Sequence, residues 1–222
     1  MSTTSNSALP ADARNLSTPK KPVQVRSIDR VDKILDATES LIKSDGISGV
    51  TMQKISQESG VGRASVYQFF PSILAIWKGL ALRYLADLQD HFEKYVTHKK
   101  YDTWQEAWDV LIDDAVTFYD QNPVAQSILL GSDGTQDLRM ADPDYDMHFA
   151  EWLAEEFSYL SKDGRSLGPE FLRINVTTTT ALFSLSVWEH GSITPFYCDQ
   201  VKRITKAYNR QLMTDFKNGA ID

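Results

Sequence analysis

The chain has 222 residues, of which 42% are hydrophobic and 24% are charged, a balance that is ordinary for a globular protein. No apolar run approaches the roughly 18 residues that a membrane helix needs, and the N-terminal segment lacks the apolar core of a secretory signal. The single cysteine, Cys198, excludes an internal disulfide framework and a multi-cysteine metal site, so we expect a cytoplasmic protein.

The net charge of −7 is distributed unevenly along the chain. Residues 1–70 hold nine Lys and Arg against seven Asp and Glu, whereas the remaining 152 residues hold 14 against 23. This asymmetry favours separate partners for the two parts of the chain. An acidic protein can still bind DNA, because a phosphate-binding face needs only a local basic patch.

Residues 1–26 are rich in Ser, Thr, Pro and Ala and show no hydrophobic period. Such a segment cannot bury enough apolar surface to offset the entropy of ordering, so a disordered arm is predicted. The arm is either a solubilising tail or a basic arm that adds phosphate or minor-groove contacts. Its basic residues are Arg14, Lys20, Lys21 and Arg26.

An amphipathic helix is predicted at about 28–44. Its apolar residues recur at helical spacing, and Gly46 follows at a position that suits a C-terminal cap. The stripe consists of Val31, Ile34, Leu35, Thr38, Leu41 and Ile42.

Two short helices follow, at about 52–58 and 63–69. Thr51 is a good N-cap for the first of them, and Gly60 supplies the turn between the two. Two short helices joined in this way and braced by a preceding helix form a helix-turn-helix. The second helix enters the major groove of DNA, and the first crosses the backbone, where Thr51 can face a phosphate. The residues expected to hold the two helices at their angle are Ile55, Val61, Val66 and Phe70.

Long helical patterns broken by Gly, Pro, Asn and Asp fill the rest of the chain. We predict helices at about 72–97, 103–121, 124–130, 144–160, 169–190 and 195–217, with a loop at 131–143. No alternating strand pattern of useful length occurs. The sequence therefore predicts an all-α protein with a three-helix DNA-binding domain and a helical domain for ligand binding and dimerisation. The expected parts are the arm at 1–26, the helix-turn-helix domain at 27–72 and the second domain at 73–222.

The segment from Gly46 to Ser72 resembles the signature of the tetracycline-repressor (TetR) family. The resemblance rests on Gly46, Thr51, Ile55, Gly60-Val61, Ala64-Ser65-Val66-Tyr67 and Phe70-Pro71-Ser72. It implies that Thr51 contacts phosphate and that Arg63, Ala64 and Ser65 lie at the groove-facing start of the recognition helix. It also implies that Tyr67 contacts phosphate and that Gln68 reaches a base or a phosphate. Independently of the family, Arg suits guanine and Gln suits adenine through paired hydrogen bonds.

Two positions depart from the family pattern. Gly62 stands where the family usually has a Ser or Thr that caps the recognition helix. Ile73 and Leu74 stand where the family commonly has a Lys that contacts phosphate. Lys78 or the basic arm could compensate for that missing contact.

The helices after residue 100 are rich in aromatic residues. An apolar pocket with a few polar groups is the usual form of a small-molecule site, although a tryptophan stripe at helical spacing is also typical of a core. By the resemblance, the pocket lies among the middle helices. The candidates for ligand contact are Trp104, Trp108, Phe118, Met147, Trp152 and Phe183.

The helices at 169–190 and 195–217 resemble the dimerising pair of the family, and the alternative is a buried intrachain pair. A homodimer places two recognition helices ~34–36 Å apart, about one DNA turn, and reads a near-palindrome. An apolar or aromatic molecule that prefers another spacing would release the repressor from its operator. The candidate packing residues are Val176, Thr180, Phe183, Leu185 and Val187.

An enzyme, or an interaction module without DNA binding, is the alternative function. No catalytic residue, cofactor or metal ligand is predicted, because the histidines show no metal-ligand spacing and no phosphate loop or nucleophile elbow occurs. The acidic cluster at 142–148 fails the pattern of a calcium loop, which requires Gly where Met147 stands and Glu where Leu153 stands. Cys198 has no visible base nearby in sequence and is expected to be inert.

Overall fold

A computed structural model describes residues 25–97, 99–131, 145–160 and 168–217. These residues form nine α-helices and no β-strand, which confirms the all-α prediction. The helices are α1 Val25–Asp45, α2 Met52–Ser59, α3 Arg63–Phe69, α4 Ile73–Phe92, α5 Trp104–Gln121, α6 Pro123–Leu129, α7 Tyr145–Glu156, α8 Pro169–His190 and α9 Pro195–Lys217.

Most of the predicted helix boundaries agree with the structure, and α8 and α9 begin and end where expected. Two helices are shorter than predicted. Helix α4 ends at Phe92 and continues as a π-helical turn, Glu93–Thr97, and α7 ends before a short 3-10 turn, Ser158–Leu160. The predicted arm lies outside the described residues up to residue 24, and so does the predicted loop after Gly131.

Backbone contacts divide the chain into two compact units, one ending at Arg83 and one beginning at Tyr84. The boundary therefore lies within α4. The predicted division into a DNA-binding part ending at residue 72 and a body beginning at residue 73 concerns function, and it stays a prediction.

The first unit is built around the apolar stripe of α1, which packs against α2, and α2 packs against α3. Phe70 is buried beside α4 at Gly79, where an added Cβ atom would lie 2.8 Å from the Phe70 ring. Glycine is required there because a larger side chain would overlap that ring. Arg83 ties α4 to α1, with its guanidinium 2.6 Å from the Asp36 carboxylate and 2.9 Å from that of Glu39.

In the second unit, α8 packs against α7 and α9, and α9 packs against α5. Two ion pairs at 2.5 Å join α5 to α9, Asp113 with Lys202 and Asp109 with Lys206. Their repeat of four residues on both helices fixes which turns of the two helices face each other.

Within the described residues, no single helix is both long and apolar enough to cross a membrane. In the part of the chain that the structure describes, one bent pair of segments, Arg63–Phe69 and Ile73–Val96, reaches the required length and composition.

A buried asparagine pair joins α8 to α9, where the Asn175 amide nitrogen donates to the Asn209 amide oxygen over 2.7 Å. Both residues are almost fully buried.

We expect Asn175→Leu to lower the free energy of unfolding by about 1–3 kcal/mol, because Asn209 is then buried without this partner. The double change Asn175→Leu with Asn209→Leu should cost less than the single change, since both polar groups are removed. Urea denaturation at one fixed protein concentration measures both, and a double variant as unstable as the sum of the two single variants would contradict this account.

Candidate DNA-binding face and effector cavity

The turn between α2 and α3 is formed by Gly60, which has φ +66° and ψ 7°. This left-handed conformation costs a non-glycine residue about 1–2 kcal/mol, so the sequence places glycine there. Two serines hold the turn from the side of α2. The Ser56 hydroxyl donates to the Val61 carbonyl over 2.8 Å, and the Val61 amide donates to the Ser59 hydroxyl over 3.2 Å. Neither serine was predicted from the sequence, although side-chain bonds of this kind are typical of serine beside a turn.

Four apolar residues pack beneath the turn and hold the two short helices together. Their burial was predicted, and the structure confirms it: Ile55 and Val66 have no exposed surface, and Val61 and Phe70 are nearly fully buried. The direction of α3 relative to α2 is therefore fixed by core packing and by the turn.

The start of α2 is capped as predicted. The Thr51 hydroxyl accepts a hydrogen bond from the Lys54 amide over 3.3 Å, and Thr51 itself is exposed. The Lys54 ammonium donates hydrogen bonds to the Asp45 carboxylate over 2.6 Å and to the Gly49 carbonyl over 2.9 Å. The hydrogen bond from Lys54 lowers the pKa of Asp45.

The outer face of α3 carries the residues that were predicted to contact DNA. Arg63, Ala64, Tyr67 and Gln68 are exposed, and Ser65 is half-buried. The Arg63 guanidinium lies over the Tyr67 ring, 5.7 Å from its centroid, so the aromatic ring helps to orient the charge. The structure thus brings a cation, a phenol and an amide together on one exposed helical surface.

The two departures from the family pattern are visible in the structure. Gly62 precedes α3 without a side-chain cap. Lys78 is only 8% exposed, so it does not present an open cation in place of the missing lysine at residue 73. The basic residues of the arm up to residue 24 lie outside the described residues.

The second unit contains an open cavity, and the empty space in and around it, including solvent at its mouth, is about 490 Å³. Its walls come from α5, α7 and α8, with further residues from the end of α4 and the end of α6. The lining residues are Leu88, Phe92, Trp108, Leu111, Ile112, Ala115, Tyr119, Leu130, Phe149, Leu153, Val176, Thr179, Thr180 and Phe183.

Two of the six predicted ligand contacts, Trp108 and Phe183, line this cavity. The other four are not among the lining residues. Trp104 packs against Phe157, with ring centroids 5.7 Å apart, and Phe118 packs against His91 at 5.5 Å. Trp152 stacks on Phe149, and Met147 is half-buried on α7.

The polar groups in the cavity wall are few. Thr179 and Thr180 donate their hydroxyl protons to carbonyls one turn back in α8, at 2.8 and 3.0 Å. Burial raises the pKa of Tyr119, so its phenol is neutral. The indole N–H of Trp108 is buried and has no hydrogen-bond partner among the described residues.

The outer surfaces of α8 and α9 expose several large apolar side chains. Trp188 is 71% exposed and Phe196 is 64% exposed, and Ile174, Leu185 and Ile204 are also open to solvent. Leu185 was predicted to pack against a partner and lies on the surface as that role requires. Three other residues of that prediction, Val176, Thr180 and Phe183, line the cavity inside the unit.

Among the described residues, no group of three His, Cys, Asp or Glu side chains is placed to hold a metal ion. Asp146 accepts a hydrogen bond from Thr177, whereas Asp142 and Asp144 lie outside the described residues. Burial raises the pKa of the Cys198 thiol, which keeps it protonated and weakly nucleophilic.

Residues 34–77 match the family model of the bacterial regulatory proteins of the tetR family. The matched residues contain α2, α3 and the turn between them. No curated protein sequence similar to this chain was found.

Three solved structures illustrate the similarity of the fold. A TetR-family transcriptional regulator from Streptomyces coelicolor is 20% identical, with a TM-score of 0.62 over 82% of this chain and 98% of that one. The fatty acid degradation regulator FadR from Bacillus halodurans is 15% identical, with a TM-score of 0.56 over 85% of this chain and 96% of that one. The multidrug binding protein EbrR, complexed with ethidium, is 14% identical, with a TM-score of 0.54 over 81% and 97%. At these identities, the similarity shows the fold.

The two glycines beside the turn allow a matched test of its backbone. We expect Gly60→Ser to lower the free energy of unfolding by about 1–2 kcal/mol, because serine is strained at positive φ. The same residue at Gly62, where φ is −54° and an added Cβ atom meets nothing within 4 Å, should leave stability equal or raise it by a few tenths of a kcal/mol through a new N-cap. Chemical denaturation of the two variants measures the difference, and equal losses at both positions would show that backbone strain is not the cause.

Proposed function

We propose that this chain, which belongs to the TetR family of bacterial transcriptional regulators, is a repressor that a small molecule releases from its operator. Regulators of this family bind DNA and are transcription factors, not enzymes. The observation that carries the proposal is the exposed face of α3, held by the Gly60 turn inside the matched segment. We propose that the protein acts in the cytoplasm, where such an operator is found.

The proposed DNA contacts divide into base contacts and phosphate contacts. Arg63 and Gln68 are exposed side chains whose paired donors and acceptors suit guanine and adenine edges. Ala64 and Ser65 form the small surface that allows α3 to approach the bases. Tyr67 and the exposed Thr51 hydroxyl, at the start of α2, contact phosphates and fix the position of the protein on the duplex.

The proposed homodimer forms through the outer faces of α8 and α9. Several large apolar side chains exposed together are costly in a monomer and are typical of an interaction site. Trp188 is the strongest candidate for an anchor, because it is 71% exposed and tryptophan is frequent among the residues that dominate binding energy. The dimer then presents two copies of α3 to a palindromic operator, about one DNA turn apart.

The proposed effector occupies the cavity of the second unit. Its wall is mostly apolar with a few polar groups, which is the usual composition of a small-molecule site. Of two regulators with a similar fold, EbrR is described as a multidrug binding protein complexed with ethidium, and FadR as a regulator of fatty acid degradation. An effector that binds better to a dimer in which the two α3 helices do not match the spacing of the operator shifts the population towards that dimer and away from DNA. By reciprocity, bound DNA must lower the affinity for the effector by the same factor by which the effector lowers the affinity for DNA.

Titration of the full chain against the DNA upstream of its own gene, at two salt concentrations, tests the regulator directly. Fluorescence anisotropy should show tight and sequence-selective binding that weakens as salt rises, because phosphate contacts release counterions. Binding no tighter than to a scrambled duplex at either salt concentration would overturn the assignment of an operator there.

Arg63→Ala should weaken binding to that DNA by about 5- to 150-fold, because a paired contact to guanine is worth ~1–3 kcal/mol. Lys100→Ala is a matched control, since it removes one exposed positive charge from the other compact unit. It should change the affinity less than about twofold, as expected for an exposed charge outside the unit that carries α3. An equal loss in both variants would assign the effect to net charge instead of to α3.

Trp188→Ala should raise the dissociation constant of the dimer by at least about tenfold, as expected for a buried aromatic anchor. Leu82→Ala is the control, because Leu82 is 42% exposed but lies on α4. Sedimentation velocity over a dilution series measures both variants. A Trp188→Ala dimer as tight as the wild type would place the interface elsewhere.

A further inference from the structure

We infer that Asp45 limits the affinity of this protein for DNA, because its carboxylate holds the Lys54 ammonium, which binds a DNA phosphate in the complex. Lys54 thus exchanges one anion for another when the protein binds DNA. The inference rests on the proposed function, since it adds to the DNA-binding face one phosphate contact and one residue that competes for it.

The Asp45–Lys54 ion pair joins the end of α1 to the first turn of α2. The Lys54 ammonium lies 2.6 Å from the Asp45 carboxylate and also donates to the Gly49 carbonyl over 2.9 Å. The Lys54 side chain is 45% exposed and that of Asp45 is 34% exposed, so solvent reaches both. Exposed ion pairs contribute little to stability, so replacing Asp45 by another anion costs the fold little.

Neither charge suits the helix that carries it. Asp45 is the last residue of α1, where the helix dipole disfavours an anion. Lys54 lies in the first turn of α2, where the dipole disfavours a cation, and that turn contains no acidic residue. The stability of the two helices therefore does not explain the pair, and each residue depends on the other for its counter-charge.

Lys54 lies beside the phosphate contact proposed for Thr51. The Lys54 amide donates to the Thr51 hydroxyl over 3.3 Å, and Thr51 is exposed. The lysine side chain is long and flexible, so its ammonium reaches a phosphate bound at Thr51 without movement of the backbone. Such a phosphate competes with Asp45 for the same cation.

An ion pair in the other compact unit provides a matched control. Asp113 on α5 pairs with Lys202 on α9, so this pair also joins two helices, and the Asp113 side chain is 61% exposed. Asp113→Asn and Asp45→Asn each remove one exposed carboxylate from an Asp–Lys pair. They differ in whether the lysine lies in the unit that carries α3.

Fluorescence anisotropy of the full chain on two duplexes tests the exchange. One duplex is the DNA upstream of its own gene, and the other is a scrambled sequence of the same length. Dissociation constants over a series of salt concentrations give the slope of log affinity against log salt, which reports the number of phosphates that the protein neutralises. A variant that is only less stable keeps the slope of the wild type.

Lys54→Gln should weaken binding and reduce the magnitude of the slope by about 1 for each bound protomer, and Lys54→Arg should keep the wild-type slope. Asp45→Asn should tighten binding by about 2- to 5-fold for each protomer, the range expected when one exposed ion pair no longer opposes binding. In the Lys54→Gln background, Asp45→Asn should change the affinity less than about 1.5-fold, because no cation is left to release. Asp113→Asn should also change it less than about 1.5-fold. If Lys54→Gln does not fold, the comparison of Asp45→Asn with Asp113→Asn decides.

Three results would overturn the inference and leave the proposed operator in place. The first is an unchanged slope in folded Lys54→Gln. The second is an equal gain from Asp45→Asn with and without Lys54, which would assign the effect to direct repulsion by Asp45. The third is a gain from Asp113→Asn as large as that from Asp45→Asn.

The two duplexes separate this inference from the proposed repressor. If the upstream DNA binds no tighter than the scrambled duplex, but the slope and the paired variants behave as expected on both, the operator assignment fails and the inference stands. If neither duplex binds even at the lowest salt concentration, both are overturned.

Discussion

The left-handed backbone at Gly60 is the constraint on which the DNA-binding surface depends. A chain that leaves α2 at Ser59 and begins α3 at Arg63 must change direction within three residues, and at this positive φ only glycine does so without strain. Ser56 and Ser59 satisfy the backbone groups of the turn, and the buried residues beneath it fix the angle between the helices. The position of Arg63 on the surface follows from this turn, and the Tyr67 ring beneath its guanidinium then orients the charge.

The second unit depends on a different property, which is that α8 is apolar on two sides. Its inner side contributes Val176 and Phe183 to the cavity, and its outer side exposes Ile174 and Trp188. A helix that served only as core would have one apolar stripe, and a surface helix would be polar on the other side. The combination is what a helix requires when it encloses a ligand on one side and packs against a second copy on the other.

The sequence predicted the fold and most helix boundaries because the signals were local: proline opens α8 and α9, glycine follows α1, and Thr51 caps α2. It did not show which of Trp104 and Trp108 lines the cavity. Both lie on one stripe of α5, and the hydrophobic period does not say which turns of the helix the cavity adjoins. It also predicted that the inner residues of α8 pack against a second copy of the chain. A helix that is apolar on two sides has no hydrophobic period that distinguishes its inner side from its outer side. The π-helical turn at Glu93–Thr97 was read as ordinary helix, as no residue in it breaks a helical pattern.

The asparagine pair between α8 and α9 and the two ion pairs between α9 and α5 have a mechanical consequence. The asparagine contact has one acceptable register, because sliding either helix by a turn would leave its amides buried without partners. Phe183 in the cavity wall and Leu185 on the outer surface lie two residues apart on α8, so a displacement of the helix at one of them also displaces the other. A conformational change that begins at the cavity wall therefore reaches the outer surface of α8 without a chain of intervening side chains. The reason is that the backbone of one helix carries both the wall residues and the surface residues.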